Sequence, residues 1–492
     1  MKYVSTREGK SGVSASQAII RGLAPDGGLY VPDEIPKIDE AFLRKLCGVG
    51  YKQRAVAVLG LFLEEFSKEE LEDIAAASYG ENFDCEAIAP LKALDDKTAV
   101  LELWHGPTCA FKDMALQIMP RLLTASLRKN GEERTVSILV ATSGDTGKAA
   151  LEGFRDVPGT RIMVFYPRDG VSQIQQLQMA TQEGGNVNVT AVNGNFDDCQ
   201  TGVKTIFGDT AFADRLNARG YFLSSANSIN WGRLVPQVAY YFSAYCDMVN
   251  AGMIRMSDTL DFCVPTGNFG NILAGWYAKK MGLPVRKFIC ASNDNNVLTD
   301  FLRTGVYDRN RPFYLTGSPS MDILVSSNLE RLLYCVSGDA EKVAGYMSKL
   351  SKEGRYEADA AVMDEIRKDF VGGWCSDAAS KEEIARLWKN GYLMDTHTAV
   401  ASRVLCDVRA DSGDDVACVI VSTASPFKFG GTVLDALGVE TNEQGPKLMD
   451  ELTAKTGVPA PKPLASLAGK PVRFESWVEI SDMEKAVSAF LS

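Results

Sequence analysis

The chain has 492 residues, which allows about two to four domains and a sizeable buried core. Apolar residues make up 46% and charged residues 23%, so the composition excludes a disordered or fibrous protein. The net charge is −11 and no dense Lys/Arg block occurs, so we expect no nucleic-acid partner.

The sequence contains no membrane or secretion signal that we recognise. The longest uninterrupted apolar stretch, residues 55–63, is about half as long as a membrane span, and the N-terminus MKYVSTREGK lacks the apolar core of a signal peptide. The eleven cysteines form no C-x-x-C pair, which indicates reduced thiols. We therefore expect a cytoplasmic protein that does not associate with membranes.

The chain has two histidines, His105 and His397. This small number argues against a histidine-based metal site and against a Ser-His-Asp triad. For each of them, a hydrogen-bonded residue of the core or the surface is a better explanation than contact with a ligand. We expect no bound metal, and the chemistry must come from other residues.

The first part of the chain predicts turns followed by helices. Residues 22–32, GLAPDGGLYVP, are rich in turn residues, and Ser67 with Glu70 three positions later forms a capping box at the start of a helix. We predict that residues 1–95 form an N-terminal helical region that covers the rest of the protein.

From about residue 97 onward, short β-branched runs alternate with helical stretches. Each run ends in Gly, Ser, Thr or Asn, as in TVSILVATSGDTG and LDFCVPTGNFG. This alternation predicts parallel βαβ units, whose ligands bind beyond the carboxyl ends of the strands. We predict α/β domains over residues 96–250 and 251–435 and a C-terminal extension over residues 436–492, ending in a short strand and helix.

The segment HGPTCAFKDMALQ, residues 105–117, contains a candidate reactive lysine. A turn at Gly106 is followed by an apolar helical pattern, which places Lys112 in the first turn of a helix. The positive end of the helix dipole and exclusion of water by Phe111 both lower the pKa of a lysine there. A neutral amine is what a Schiff-base lysine needs. The alternative is a solvated surface lysine at a helix start.

The segment TSGDTGKAA, residues 142–150, follows a predicted strand over residues 135–141. Its free N–H groups and two hydroxyls could hold a carboxylate or a phosphate. The spacing differs from that of a Walker loop. A plain helix cap with a glycine turn is the alternative interpretation.

The segment PTGNFGN, residues 265–271, lies between a predicted strand over residues 261–264 and a helix that begins near Gly270. Its glycines and asparagines let the backbone close around a phosphate at the positive end of that helix. The position after a buried strand favours this interpretation, although a single G-x-x-G is weak evidence.

Two further polar segments have competing interpretations. Residues 224–234, SSANSINWGRL, could bind an anionic substrate or only cap the following helix. Residues 421–429, VSTASPFKF, follow a predicted strand over residues 416–421 and could contact a ring nitrogen or only satisfy buried backbone groups.

Taken in chain order, HGPTCAFKD, SGDTG, SANSIN, GNFGN and the Ser/Thr strand end resemble pyridoxal-phosphate (PLP) enzymes of the tryptophan-synthase β-like fold, and among them the threonine synthase family. The segment GLAPDGGLYVP is similar to the opening of that family. The resemblance covers essentially the whole chain. It implies an α/β protein of PLP fold type II, with two open parallel-type sheets flanked by helices and an N-terminal helical region.

The resemblance also implies roles for particular residues. Lys112 would form the Schiff base with PLP and move protons, and Thr423 would bond to the pyridine nitrogen. The cofactor phosphate would be held by Gly267, Asn268, Phe269, Gly270 and Asn271. The substrate carboxylate would be received by Ser143, Gly144, Asp145 and Thr146. Because many relatives have Asn where this chain has Asp145, and a carboxylate would repel the 3′ oxygen of the cofactor, we expect Asp145 to shape the loop or share a proton.

The family's substrate is O-phospho-L-homoserine, which is converted with water to L-threonine and phosphate. A phosphate dianion needs cations, and Arg233 and Lys428 are the candidates, with Asn227 and Ser228 nearby in sequence. The alternatives are a related phospho-lyase or a dehydratase that gives a 2-keto acid, or a non-catalytic binding protein with the same fold. We expect a monomer or a homodimer.

Overall fold

The computed structural model describes residues 1–9 and 12–492. In this part of the chain the strands are β1 (Tyr3–Ser5), β2 (Tyr30–Pro32), β3 (Leu91–Ala93), β4 (Thr98–Glu102), β5 (Thr135–Ala141), β6 (Thr160–Pro167), β7 (Val187–Val192), β8 (Tyr221–Ser224), β9 (Leu260–Pro265), β10 (Val285–Ser292), β11 (Val306–Asp308), β12 (Arg355–Glu357), β13 (Phe370–Trp374), β14 (Cys418–Ser422) and β15 (Trp477–Val478).

The helices of the described residues are α1 (Ala15–Arg21), α2 (Glu40–Cys47), α3 (Tyr51–Phe62), α4 (Lys68–Ser78), α5 (Asp113–Leu116), α6 (Met119–Lys129), α7 (Asp145–Phe154), α8 (Gln173–Ala180), α9 (Phe196–Gly208), α10 (Thr210–Asn217), α11 (Trp231–Asn250), α12 (Gly270–Met281), α13 (Val297–Thr304), α14 (Leu329–Ser337), α15 (Ala340–Glu353), α16 (Ala360–Asp369), α17 (Asp377–Lys389), α18 (Thr396–Ser412), α19 (Gly430–Ala436), α20 (Pro446–Thr456), α21 (Lys462–Ala465) and α22 (Met483–Phe490). No helix among them is both long enough and apolar enough to cross a membrane.

Two open sheets form the framework. One has the order β13-β10-β9-β14-β4-β3 and is parallel except for the edge strand β3. The other has the order β15-β7-β6-β5-β8, and every pair in it is parallel. Helices flank both sheets, and helices α1–α4 lie in the N-terminal region. The predicted α/β fold is therefore confirmed.

The strands that lead into the candidate site are buried apolar runs. In β5 every residue after Thr135 is buried, and β9 and β14 are buried throughout. This is typical of parallel strands covered on both faces. The prediction of β5 matches the observed bounds, whereas β9 extends one residue further at each end and β14 begins two residues later than predicted.

Strand pairing does not follow the predicted domain boundaries. β4 lies in the range predicted for the first α/β domain, but it pairs with β14 in the six-stranded sheet. β15, from the predicted C-terminal extension, pairs with β7 in the five-stranded sheet. The boundaries themselves stay a prediction, and each sheet takes strands from more than one predicted segment.

Local signals near the chain ends were predicted correctly. Ser67 and Glu70 form the capping box that begins α4, with hydrogen bonds of 2.8 and 3.1 Å between each side chain and the other's backbone N–H. The Pro-rich residues 458–471 are followed by the short strand β15 and the helix α22.

Candidate active site

The site lies where the carboxyl ends of β5, β9 and β14 come together, as expected for open parallel sheets. Three contacts join the predicted segments. The Phe111 N–H donates to the Thr423 carbonyl at 2.8 Å, and the Ser320 hydroxyl lies 3.5 Å from the Asp145 carboxylate. A Cβ placed on Gly267 would lie 2.6 Å from the Ser320 carbonyl oxygen. The segments that carry Lys112, Asp145, Thr423 and the 267–271 loop are therefore neighbours.

A tight turn holds the lysine segment. The backbone N–H and the hydroxyl of Thr108 both donate to the Asp113 carboxylate at 2.8 Å. A Cβ on Gly106 would lie 2.6 Å from Asp113, so the turn requires glycine there. Burial raises the pKa of Asp113 to about 7, against the effect of the bonds from Thr108. The turn fixes the backbone from which Lys112 projects.

Lys112 is buried, with its Nζ 3.7 Å from an oxygen of Asp145 and 4.8 Å from the centre of the Phe111 ring. Burial lowers its pKa to about 8; Asp145 opposes this shift, while Arg233 and Lys428 add to it. The lowered pKa was predicted. The helix was expected to include Lys112, but α5 begins one residue later and has four residues, so burial, rather than a helix dipole, is the main cause.

Asp145 is the centre of a charged cluster. Its Oδ1 accepts bonds from Lys428 Nζ at 2.6 Å and from Gln175 Nε2 at 2.8 Å. Burial alone raises the pKa of this carboxyl, but the attraction of Lys428 and Lys112 outweighs burial and holds the pKa well below its usual range. Asp145 is therefore an ionised group that contacts two lysines.

Lys428 was predicted to bind the substrate phosphate. Its side chain is fully buried, and besides the Asp145 contact its Nζ donates to the Thr108 carbonyl at 3.0 Å. Two of the three donors of this ammonium therefore have partners within the protein. The pairing links the lysine turn to α7, which no local pattern around residue 428 could indicate.

The SGDTG loop is held by the side chain of the residue that directly precedes it, Thr142. The Thr142 hydroxyl accepts the N–H groups of Gly144 at 3.0 Å and Gly147 at 2.9 Å. Gly144 has φ +132°, and a Cβ there would lie 2.4 Å from the Gln175 side chain. Ser143 and Thr146 are half-buried. Thr142 therefore supplies the cap, and the hydroxyls of Ser143 and Thr146 are not needed for it.

The SANSIN segment also contains one residue that caps a helix and others that are not needed for the cap. Asn230 caps α11 by accepting the Gly232 N–H at 2.8 Å, so the capping interpretation applies to Asn230. Asn227 Oδ1 is buried and has no hydrogen-bond partner in the part of the chain that the structure describes. Arg233 donates to the Ala226 carbonyl at 3.0 Å and to the Thr146 hydroxyl at 3.3 Å, and burial lowers its pKa to about 10.

Residues 267–271 form a neutral cradle at the start of α12. Phe269 has φ +61°, a left-handed conformation in which successive N–H groups turn toward the same side. Within residues 1–9 and 12–492 none of the five backbone N–H groups donates to a main-chain acceptor. Free N–H groups beside a helix N-terminus have the chemistry that suits an anion.

Asn271 adds an oriented donor to this cradle. Its Oδ1 accepts the hydroxyls of Tyr240 at 2.5 Å and Tyr241 at 2.8 Å. This fixes the amide so that Nδ2 is its free end, and Nδ2 is buried without a partner among the described residues. A buried donor without an acceptor is costly unless a ligand supplies one. The cradle therefore fits a phosphate group.

Both histidines are hydrogen-bonded to carboxylates. His105 lies 2.6 Å from Asp84 and 3.0 Å from Glu102; burial lowers its pKa, but the two carboxylates raise the pKa further, to about 9. His397 contacts Asp395 at 2.8 Å and accepts the Ser320 N–H at 3.1 Å. Both are hydrogen-bonded as expected, His105 in a partly buried position and His397 in the core, and His397 also positions the Ser320 segment beside the site.

Sequence reasoning did not identify Gln175, Ser320, Tyr240, Tyr241 or Asn328 as part of the site. Each reaches it from a helix or loop outside the motifs. Ser172 and Gln175 form the capping box of α8, a local role that gives no sign of the contact between Gln175 and Asp145. No local signal shows that these residues face the site.

The fold and this site define a class of protein. Residues 88–423 match the family model described as pyridoxal-phosphate dependent enzyme. A buried amine of lowered pKa, the Thr423 strand end and a phosphate-sized cradle with unpaired donors suit PLP, so the residues present fit this cofactor. The class is that of the PLP-dependent enzymes.

Matches of the N-terminal and C-terminal segments identify a family within the PLP-dependent enzymes. Residues 2–79 match the model for the threonine synthase N terminus and residues 398–487 match the model for the threonine synthase C-terminal region. The chain belongs to the threonine synthase family.

Individual relatives agree with this assignment. Threonine synthase-like 1 of Pongo abelii is 42% identical over 460 residues, which are 90% of this chain and 61% of that protein. The chain thus spans less than two thirds of that relative. Threonine synthase of Saccharomyces cerevisiae is 37% identical, with 89% of this chain and 90% of the yeast protein covered. The crystal structure of PLP-bound threonine synthase from Brucella melitensis is 38% identical, with a TM-score of 0.87 and coverage of 100% and 98%.

Proposed function

We propose that this protein is a threonine synthase, a carbon–oxygen lyase that converts O-phospho-L-homoserine and water to L-threonine and phosphate. The observation that carries the proposal is the extent of similarity to the yeast threonine synthase, 37% identity over 89% of this chain and 90% of the yeast protein. The charged cluster and the neutral cradle of the site support it, because the reaction needs a mobile proton donor and acceptor as well as sites for anions.

Lys112 is the residue that we propose to hold the cofactor and then to move protons. PLP, when bound, supplies an electron sink that stabilises negative charge at the substrate Cα. Lys112 removes the Cα proton, and a proton leaves Cβ before the phosphate departs from Cγ. A proton then returns to Cγ and water adds at Cβ, which gives L-threonine. The pKa of about 8 leaves a useful fraction of Lys112 neutral near physiological pH, as a general base requires.

The cradle and the β14 end hold the cofactor in this proposal. Gly267, Asn268, Phe269, Gly270 and Asn271 bind its phosphate through backbone N–H groups and the Asn271 amide. Thr423 donates or accepts a hydrogen bond at the pyridine nitrogen. A neutral hydroxyl does not force that nitrogen to be protonated, which moderates the electron sink.

The substrate has two anionic ends, and the site offers a different set of residues for each. Ser143 and Gly144 lead into α7, which begins with Asp145 and Thr146, and the N–H groups of this segment that do not already bind Thr142 receive the substrate carboxylate. Arg233, with Asn227 and Ser228, contacts the substrate phosphate. Lys428 contributes less directly than its charge suggests, because Asp145 and Thr108 already bind its ammonium. We propose that it keeps Asp145 ionised.

Product analysis tests this function. The protein is incubated with PLP and O-phospho-L-homoserine, and phosphate and threonine are both measured. We expect equal amounts of the two, lost in Lys112→Ala. Lys279→Ala is the matched control, because Lys279 lies near the C-terminal end of α12, where it pairs with Asp369 at the end of α16. Activity that survives in Lys112→Ala would contradict the role of Lys112.

A phospho-lyase or dehydratase is the second candidate, because several similar proteins are named threonine synthase-like 1 rather than threonine synthase. Phosphate accompanied by 2-ketobutyrate would support it, and absence of any product would favour a non-catalytic PLP-binding protein. A cytoplasmic location and a monomeric or homodimeric state are proposals as well, which cell fractionation and light scattering test.

A further inference from the structure

Arg331, in the first turn of α14, is a buried cation whose hydrogen-bond partners among the described residues are all neutral. Its side chain is fully buried. The guanidinium donates to the carbonyls of Tyr30 at 2.9 Å and Ile229 at 2.6 Å, to the Asn328 side-chain oxygen, and at 3.4 Å to the Ser228 carbonyl. Desolvating a charge is costly, so a buried arginine without a carboxylate on its donors calls for an explanation.

The partners of Arg331 surround the cradle. Asn328 donates to the Asn268 carbonyl twice, from its side chain at 2.9 Å and from its backbone at 3.1 Å. A Cβ on Gly270 would lie 3.4 Å from the Asn328 amide and 3.7 Å from the Ser228 side chain. Arg331 thus orders residues on both sides of the start of α12.

These bonds determine where the cradle N–H groups point. In a trans peptide the C=O of one residue and the N–H of the next point in opposite directions from one planar unit. Asn328 holds the Asn268 carbonyl outward, which directs the Phe269 N–H inward. The Ser326 hydroxyl does the same at the Gly267 carbonyl, at 2.7 Å, and so directs the Asn268 N–H.

We propose that Arg331 is a positioning residue that orients the cradle, through Asn328 and the Ser228–Ile229 backbone, for a phosphate monoester on a pyridoxal ring. This inference rests on the proposed function of residues 267–271. The adjacent Glu330 accepts bonds from Arg7 at 2.9 Å and from Thr6 at 2.6 Å, and Arg331 binds Tyr30. The N-terminal region is therefore joined to the cofactor site as well as covering the core.

The test compares PLP with pyridoxal, which has the same ring and aldehyde but no phosphate. The apo form of the full chain is titrated with each compound, and the ratio of the two dissociation constants is measured for the wild type and for Arg331→Lys. Lysine keeps the charge but lacks the planar fork that reaches several acceptors. We expect the preference for PLP to fall at least about tenfold, with pyridoxal binding little changed.

Arg54→Lys is the matched control. Arg54 is also buried and binds the Leu46 carbonyl at 3.0 Å, the Ser243 hydroxyl at 2.8 Å and Asp247 at 2.7 Å, with no contact to the cradle. The PLP preference should not change in this variant. Asn328→Ala is a second test if Arg331→Lys does not fold, and it should lower the preference in the same direction.

The outcomes separate this inference from the proposal on which it rests. A wild-type protein that binds PLP no better than pyridoxal would remove the cradle assignment, and with it the role of Arg331. A wild-type preference for PLP that persists in both Arg331→Lys and Asn328→Ala would overturn the role of Arg331 alone. A preference lost equally in Arg54→Lys would show a general structural effect and would also overturn it.

Discussion

The two halves of the candidate site differ in how their polar groups are satisfied. In the charged half, Asp145, which follows β5 of the five-stranded sheet, lies between Lys428 at 2.6 Å and Lys112 at 3.7 Å, which follow β14 and β4 of the six-stranded sheet. In the other half, residues 267–271, which follow β9, are uncharged, and the Asn271 Nδ2 donor is buried without a partner among the described residues. The Asp145 carboxylate therefore has its partners within the protein, whereas the Asn271 donor needs a ligand to supply one.

Because of this difference, we expect substitutions in the two halves to have different effects, one on folding and the other on binding. Removing one member of a buried ion pair leaves the other charge uncompensated in the folded protein. Altering an unpaired donor removes nothing that the apo protein uses. Substitutions in the charged cluster should therefore change the stability of the apo protein, and substitutions in the cradle should change cofactor affinity.

The largest effect is expected for Lys428→Met. The substitution leaves Asp145 buried beside Lys112 and Gln175 without its nearest cation, and we expect the free energy of unfolding of the apo protein to fall by about 3–5 kcal/mol. Urea denaturation followed by circular dichroism measures it. The double variant Lys428→Met with Asp145→Asn should recover part of the loss. A single variant as stable as the wild type would show that the pair does not hold α7.

A smaller effect, and one on binding, is expected for Asn271→Asp. The carboxylate still accepts the tyrosine hydroxyls, but the free donor becomes an acceptor that faces the phosphate. We expect PLP affinity to fall about 100-fold and pyridoxal affinity to change little. Fluorescence titration of the apo protein with both compounds measures this. Equal losses for both compounds would place the Asn271 amide away from the phosphate.

The third effect is a shift in pH dependence. Capture of PLP requires the neutral amine of Lys112, so in the wild type its rate should rise with pH through a midpoint of about 8. Asp145 raises the pKa of Lys112 and opposes the effect of burial. Asp145→Asn removes this opposition, and the midpoint should move to lower pH by about one unit. Stopped-flow absorbance between pH 6 and about pH 10 follows it. A midpoint that moves upward would contradict the arrangement of charges.

The parts of the protein that the sequence predicts best are those with local signals. The run TVSILVA is β-branched and ends at a Gly-rich turn, and β5 has the predicted bounds. The glycine-asparagine pattern of residues 265–271 predicts a helix that begins near Gly270, and α12 begins there. These features depend on backbone conformation, which neighbouring residues determine.

The pairings across the site could not be predicted, because they join segments far apart in the sequence. The sequence around Lys428 predicts an unpaired cation that could bind a substrate phosphate. In the structure, Lys428 contacts Asp145 and Thr108. The membership of β4 in the six-stranded sheet is another long-range pairing. Arg331 lies in a helix that carries no motif, and only its contacts with Tyr30, Ile229 and Asn328 place it beside the cradle.

Lys112, and not the more deeply buried Lys428, is the lysine that we propose to bind the cofactor. Reduction of the PLP-loaded protein with sodium borohydride makes the link between cofactor and lysine permanent, and mass spectrometry of a digest identifies the modified residue. We expect a pyridoxyl group on Lys112 and an unmodified Lys428. A pyridoxyl group on Lys428 or on another lysine, or a protein that carries none, would contradict it.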